Sequence, residues 1–131
     1  MNVTSIKIVV KNAEGKILLQ MRDGTEGISN PLLWGFWGGG VEDYDATPIA
    51  AAARELQEEL GIEASESELT LLGQSELAEG RLEHFYVFSK PLNWGSFVVN
   101  EGAGAAFFTI DEMQKIPAAR SISRFLAMNK I

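Results

Sequence analysis

Three glutamates, Glu55, Glu58 and Glu59, stand close together beside Arg54 in a run of strong helix formers, Ala50 to Leu60. At about 100° per residue, with Glu55 at zero, Glu58 falls near −60° and Glu59 near +40°, so the carboxylates span an arc of roughly 100°. Ile49, Ala52, Ala53, Leu56 and Leu60 fall at roughly +60° to +160°, a separate apolar stripe suited to docking on a sheet. Arg54 borders the acidic arc as an i,i+4 neighbour of Glu58. Like charges at these spacings destabilise an isolated helix by about 0.2–0.5 kcal/mol per pair, and a hard divalent cation would offset that repulsion. A solvated acidic face is the competing explanation. The triple glycine upstream, Gly38-Gly39-Gly40, favours the cation, because backbone there must turn tightly or approach a ligand closely.

The rest of the composition narrows the chemistry in the same direction. The 131 residues carry no cysteine and one histidine, His84, which excludes disulfides, thiolate zinc sites, cysteine nucleophiles and multi-histidine centres. Catalysis must run mainly on carboxylates. With 18 Asp+Glu against 11 Lys+Arg, the net charge of −7 argues against a nucleic-acid polymer as partner. A small phosphorylated substrate stays open, since a bound cation reverses the local field. Length and composition fit one globular domain over residues 1–131. No stretch approaches the roughly 18–20 apolar residues of a membrane span, and the start lacks secretory-signal features, so a cytoplasmic location is expected.

The elements that must position these groups follow from periodicity and turn chemistry. Ile6, Ile8 and Val10 alternate with Lys7 and Lys11 as a strand, Asn12 to Gly15 supplies a turn, and Ile17 to Met21 is expected as the hairpin partner. Asp23 to Pro31 reads as a surface loop. Thr47 as N-cap, Pro48 at the first position and Gly61 as C-cap predict a helix over 48–60. Leu69 to Leu72, Leu82 to Phe88 and Ala105 to Thr109 read as strands, with a turn at Glu79-Gly80. Asp111-Glu112 opens a helical turn, and after Pro117 a last helix carries Ala119, Ile122, Phe125 and Leu126 on one face.

Gly39-Gly40 followed by Arg54-Glu55-Leu56-Gln57-Glu58-Glu59-Leu60-Gly61-Ile62 resembles the signature of Nudix hydrolases: Gly, five residues, Glu, seven residues, Arg-Glu-U-x-Glu-Glu-x-Gly-U, with U aliphatic. The second half matches at every specified position. The first half departs: counted from Gly40 the box Glu falls on Ala46, and a one-residue insertion places Asp45 near the usual carboxylate. Trp37 stands where many members have proline.

The resemblance implies an α/β fold, the α/β/α sandwich with a mixed curved sheet between helices. It implies hydrolysis of a diphosphate linkage in a nucleoside diphosphate joined to another group, with Mg²⁺ or Mn²⁺. By position, Glu58 and Glu59 are metal ligands, Glu55 is a further ligand or the general base, and the carbonyl of Gly39 or Gly40 completes the shell. Arg54 holds one of these carboxylates in its ligating rotamer. Glu101, in a late loop, is the candidate for an added catalytic carboxylate, with a plain surface glutamate as the alternative. Arg22 is a candidate for a substrate phosphate or a solvated strand end. Trp34, Phe36 and Trp37 are candidates for stacking on substrate or for the core, and His84 reads as structural or as a pocket wall. Homodimers are frequent in the family. Between Glu63 and Gly80 there is neither proline nor tyrosine, which by exclusion favours a nucleoside triphosphate or a nucleotide sugar as substrate. The alternative is a catalytically weak nucleotide-binding or regulatory module on the same fold.

Overall fold

A computed structural model describes residues 2–24 and 32–128. Most of the expected loop at Asp23 to Pro31 lies outside the described residues. Strands β1 (Asn2–Val9), β2 (Ile17–Met21), β3 (Trp34–Gly35) and β4 (Trp37–Gly40) precede helix α1 (Pro48–Leu60). Strands β5 (Leu69–Glu76), β6 (Arg81–Phe88) and β7 (Gly104–Phe108) follow, then α2 (Ile110–Met113) and α3 (Arg120–Met128). β4, β1, β6 and β5 form a mixed sheet in that order, β1 running parallel to β6 and antiparallel to β4. β3, β2 and β7 form a second, antiparallel sheet.

The alternation of each strand sorts its side chains between two cores. Ile6 and Ile8 of β1, Leu18 of β2 and Tyr86 and Phe88 of β6 pack with Ala52, Leu56 and Leu60 of α1. Val9, Ile17, Leu19 and Phe85 point the other way, onto Met113 of α2 and Ile122 and Phe125 of α3. Helices on both faces of central strands make the α/β/α sandwich that the resemblance implied. Both faces of β1 and β2 are therefore apolar wherever a helix covers them.

One expectation is corrected. β2 is not the ladder partner of β1: around the turn, in which the Asn12 Oδ1 accepts from the amides of Glu14 and Lys16, the two arms are joined among the described residues by the Asn12 N–H to Lys16 carbonyl bond (3.0 Å), the Lys11–Ile17 bridge and the Leu18 N–H to Val10 carbonyl bond (2.9 Å). β2 turns away to pair with β7 and β3, because Leu18 and its neighbours must fill both cores. Trp37 ties the two sheets together. Its indole is fully buried and donates to the Leu18 carbonyl at 3.0 Å.

The helix at 48–60 forms as its sequence predicts. The Thr47 hydroxyl accepts from the Ala50 amide at 3.2 Å, and Gly61 at φ 67° closes the C-terminus with bonds back to the last turn.

Candidate active site

The glycine strand and the acidic helix meet face to face. Gly38 sits at φ +135°, where a Cβ would overlap the Ile6 carbonyl of the neighbouring strand. Its amide donates to Glu59 Oε1 at 3.0 Å. A Cβ on Gly39 would lie 2.7 Å from Glu55 Oε1. The glycines thus leave the space into which the α1 carboxylates project. Because Gly39 is not in the left-handed region, Gly39→Ala is expected to fold normally while displacing Glu55. The metal concentration for half-maximal activity should rise severalfold with little change in Tm, and an unchanged metal titration would remove Glu55 from that role.

Arg54 organises the outer side of the cluster. Its Nε and Nη2 grip both oxygens of Asp45 at 3.0 and 2.9 Å, Nη1 reaches Glu55 at 3.0 Å and Glu58 at 3.3 Å, and Nη2 also donates to the Gly40 carbonyl at 3.1 Å. The guanidinium holds the Asp45 carboxyl below the usual carboxylate range, by hydrogen bonding above all. Asp45, at the displaced position of the signature, thereby fixes Arg54, whose fork spans two glutamates and the glycine strand. The i,i+4 pairing with Glu58 read from the helix is present, and the bidentate partner is Asp45.

Glu59 is not on the solvated arc. It is 5% exposed, and burial followed by a hydrogen bond shared with Glu101 pushes its carboxyl up from an ordinary 4.5 to about 10. Glu101 arrives from a distant loop whose backbone is tied to the end of α1. The amides of Val98 and Asn100 donate to the carbonyls of Leu60 and Glu59 at 3.0 and 2.9 Å, and the Asn100 side chain donates to the Glu58 carbonyl at 3.3 Å. Gln20, buried in β2, donates to the Glu101 carbonyl at 3.1 Å.

Because burial pushes the Glu59 carboxyl up in the folded, metal-free protein, the contribution of this group to stability is full below the ordinary carboxylate range and falls as pH rises above it. Lys7, pushed down by burial, acts in the opposite sense at alkaline pH. Without metal, Tm is expected to decline from about pH 5 to about pH 9, and the slope should flatten in Glu59→Gln. His84, whose imidazole pKa burial pushes down, acts in the opposite sense near its ordinary 6.5 and is common to both proteins. Parallel profiles would show that Glu59 makes no such contribution.

These groups open on one cavity of about 440 Å³, lined by Glu55, Glu58, Glu59, Glu101, the glycine strand, Arg22, Ser5 and Lys7. Trp34 is not in this lining: its ring packs edge-on against Phe108 at 4.9 Å and belongs with the second core, where Phe36 is buried, as Trp37 is in the first. His84 bonds to Tyr86 and Gln74 along the sheet. Ser5 and Lys7 were not legible as site residues, since nothing in their local sequence separates them from the polar positions of any strand. Lys7 is half-buried, and burial pushes its ammonium pKa down while Glu83 opposes the shift.

The residues fit a hard cation. Among the described residues no three His, Cys, Asp or Glu side chains converge as a ready-made metal cage. Mg²⁺ does not require one, since it keeps several waters and takes one or two carboxylates together with substrate phosphates. The neighbouring Glu101 adds to burial in pushing the Glu59 carboxyl up, which marks an excess of negative charge that a divalent ion would relieve.

The NUDIX domain pattern matches residues 1–128. The chain belongs to the NUDIX family. Over 119 residues, 91% of this chain and 85% of the relative, it is 32% identical to the CTP pyrophosphohydrolase of Escherichia coli (strain K12). Among solved structures, MutT studied from Aliivibrio salmonicida and Vibrio cholerae aligns with a TM-score of 0.74 at 19% identity, covering 98% of this chain and 99% of that one. The E. coli ORF135 protein aligns with a TM-score of 0.67 at 27% identity over 98% and 92%. The dihydroneopterin triphosphate pyrophosphohydrolase of E. coli aligns with a TM-score of 0.68 at 19% identity over 95% and 94%. The protein is thus a Nudix hydrolase by family, and no described helix is long and apolar enough to cross a membrane.

Proposed function

We propose that this Nudix hydrolase is a divalent-metal-dependent pyrophosphohydrolase that cleaves the diphosphate linkage of a small nucleotide, with nucleoside triphosphates favoured over nucleotide sugars. The observation that carries this reading is that Glu55, Glu58, Glu59 and Glu101 line one cavity together with the Gly39-Gly40 backbone. The CTP pyrophosphohydrolase of E. coli, at 32% identity, supports the triphosphate class.

Mg²⁺ or Mn²⁺, when bound, would neutralise phosphate oxygens and lower the pKa of an attacking water. Glu58 and Glu59 would hold the cation, and the Gly39 or Gly40 carbonyl would add a neutral oxygen. Glu55 is a further ligand or the base that takes the proton of the water. Arg54, pinned by Asp45, fixes the rotamers of Glu55 and Glu58. Arg22, on the wall of the cavity, faces the phosphates. Glu101, beside Glu59 at the inner end of the cluster, would add a further carboxylate oxygen for the cation.

Release of pyrophosphate or phosphate from nucleoside triphosphates, nucleotide sugars and dinucleoside polyphosphates, each with Mg²⁺ and with Mn²⁺, tests the reading. Turnover of triphosphates that chelation abolishes is the expected result. Tight nucleotide binding by calorimetry, with no product under either metal, would make the protein a binding module instead.

A further inference from the structure

Beside the acidic cleft opens a second cavity, of about 190 Å³, that shares Lys7 and Arg22 with it. Its charge has the opposite sign. Lys7, Arg22, Arg120 and Arg124 face it, against a single carboxylate, Glu83. That carboxylate is already committed: Glu83 is 2% exposed, its Oε1 accepts Arg124 Nε at 3.0 Å and Nη2 at 2.9 Å, and its Oε2 accepts the Ser5 hydroxyl at 3.2 Å. Arg124 is neutralised by this contact. Neither the Lys7 ammonium nor the Arg120 guanidinium makes a hydrogen bond or ion pair with any described residue. The first turn of α3 lines the same wall and adds the positive end of its helix.

A neutral ring placed there would cover Lys7 and Arg120 without matching their charge, whereas an anion would satisfy both through charge-assisted bonds. We propose that the basic cavity receives a second phosphoryl group of the substrate, carried on the part of the molecule away from the diphosphate. This rests on the pyrophosphohydrolase reading of the neighbouring cleft. The preferred substrates are then anionic at two points: a diphosphate meets the acidic cluster through its cation, and a phosphomonoester meets Arg120 and the start of α3. Lys7 and Arg22, on the shared wall, lie between the two.

Matched probes test this: a nucleoside 5′-triphosphate with and without a 3′-phosphate, and ribose 1-diphosphate with and without a 5-phosphate, assayed with Mg²⁺. The added phosphate is expected to lower KM about tenfold, and Arg120→Gln to erase the difference within each pair. Arg120 is exposed and has no side-chain partner among the described residues, so the variant should keep its Tm. Calorimetry of a nucleoside 3′,5′-bisphosphate against the 5′-monophosphate gives the same comparison without turnover. If triphosphates are hydrolysed but paired probes behave alike and Arg120→Gln is silent, the basic-cavity proposal is overturned while the hydrolase stands. It is equally overturned if Arg120→Gln changes the preference among nucleobases and leaves the effect of the added phosphate intact. If nothing is hydrolysed yet bisphosphate binding depends on Arg120, the cavity proposal holds and the hydrolase reading fails.

Discussion

Glu58→Gln is expected to lower kcat by more than about a hundredfold at a metal concentration that saturates the wild type. The side chain is 55% exposed, and its only side-chain partner among the described residues is Arg54, at 3.3–3.4 Å. An ion pair so open to solvent contributes at most about 1 kcal/mol to folding, so Tm should move by no more than a few degrees. The substitution keeps the size of the side chain and one acceptor oxygen while removing the charge, which separates cation binding from packing. Steady-state kinetics with a metal titration, beside a thermal melt, separates these effects. Near-normal turnover in a folded variant would take Glu58 out of the site.

Gly38→Ala is expected to be the most destabilising glycine-to-alanine substitution among the described residues, at about 3–5 kcal/mol. At φ +135° the backbone adopts a region that side-chain-bearing residues rarely enter, and the new methyl would overlap the Ile6 carbonyl across the β1–β4 ladder. Relieving the overlap means parting two strands or rotating the peptide whose amide holds Glu59. Against a typical total of about 5–15 kcal/mol, that loss leaves little folded protein at physiological temperature. Gly15→Ala is the control: its φ of +82° is also strained, but no atom lies within 4 Å of the added Cβ. Urea melts of the two variants make the comparison, and equal losses would show that φ alone, without the close approach of β1, sets the requirement for glycine.

How far the sequence could be read depended on how far apart the interacting residues lie. Helix α1 was legible to its caps because Thr47, Pro48 and Gly61 act within a turn of where they stand. The acidic cluster was legible for the same reason. The burial of Glu59 was not, although the wheel placed it at the edge of the apolar stripe. What lies opposite decides the matter, and there the facing strand presents glycine backbone in place of side chains. The partnership of Asp45 with Arg54 spans a loop whose length departs from the family pattern, so register alone did not reveal a bidentate pair. β1 and β2 read as a hairpin because each alternates and a turn joins them. Their separation into two sheets is set by β7 and by the Trp37 indole, contacts that no local window contains. Glu101 was found by resemblance, while the backbone bonds that deliver it join positions some forty residues apart.

Those bonds also bear on the order in which the working protein comes into being. The signature from Gly38 to Ile62 supplies helix, glycine strand and three of the four carboxylates early in the chain. The last turn of α1 nevertheless has its carbonyls satisfied by Val98 and Asn100, and β7 must join β2 before the preceding loop is held. A nascent chain that has emerged only through its signature therefore has these carboxylates without the backbone bonds that hold the Glu101 loop against α1. The site's geometry is therefore a long-range property of the chain, set where residues 17–21 pair with residues 104–108.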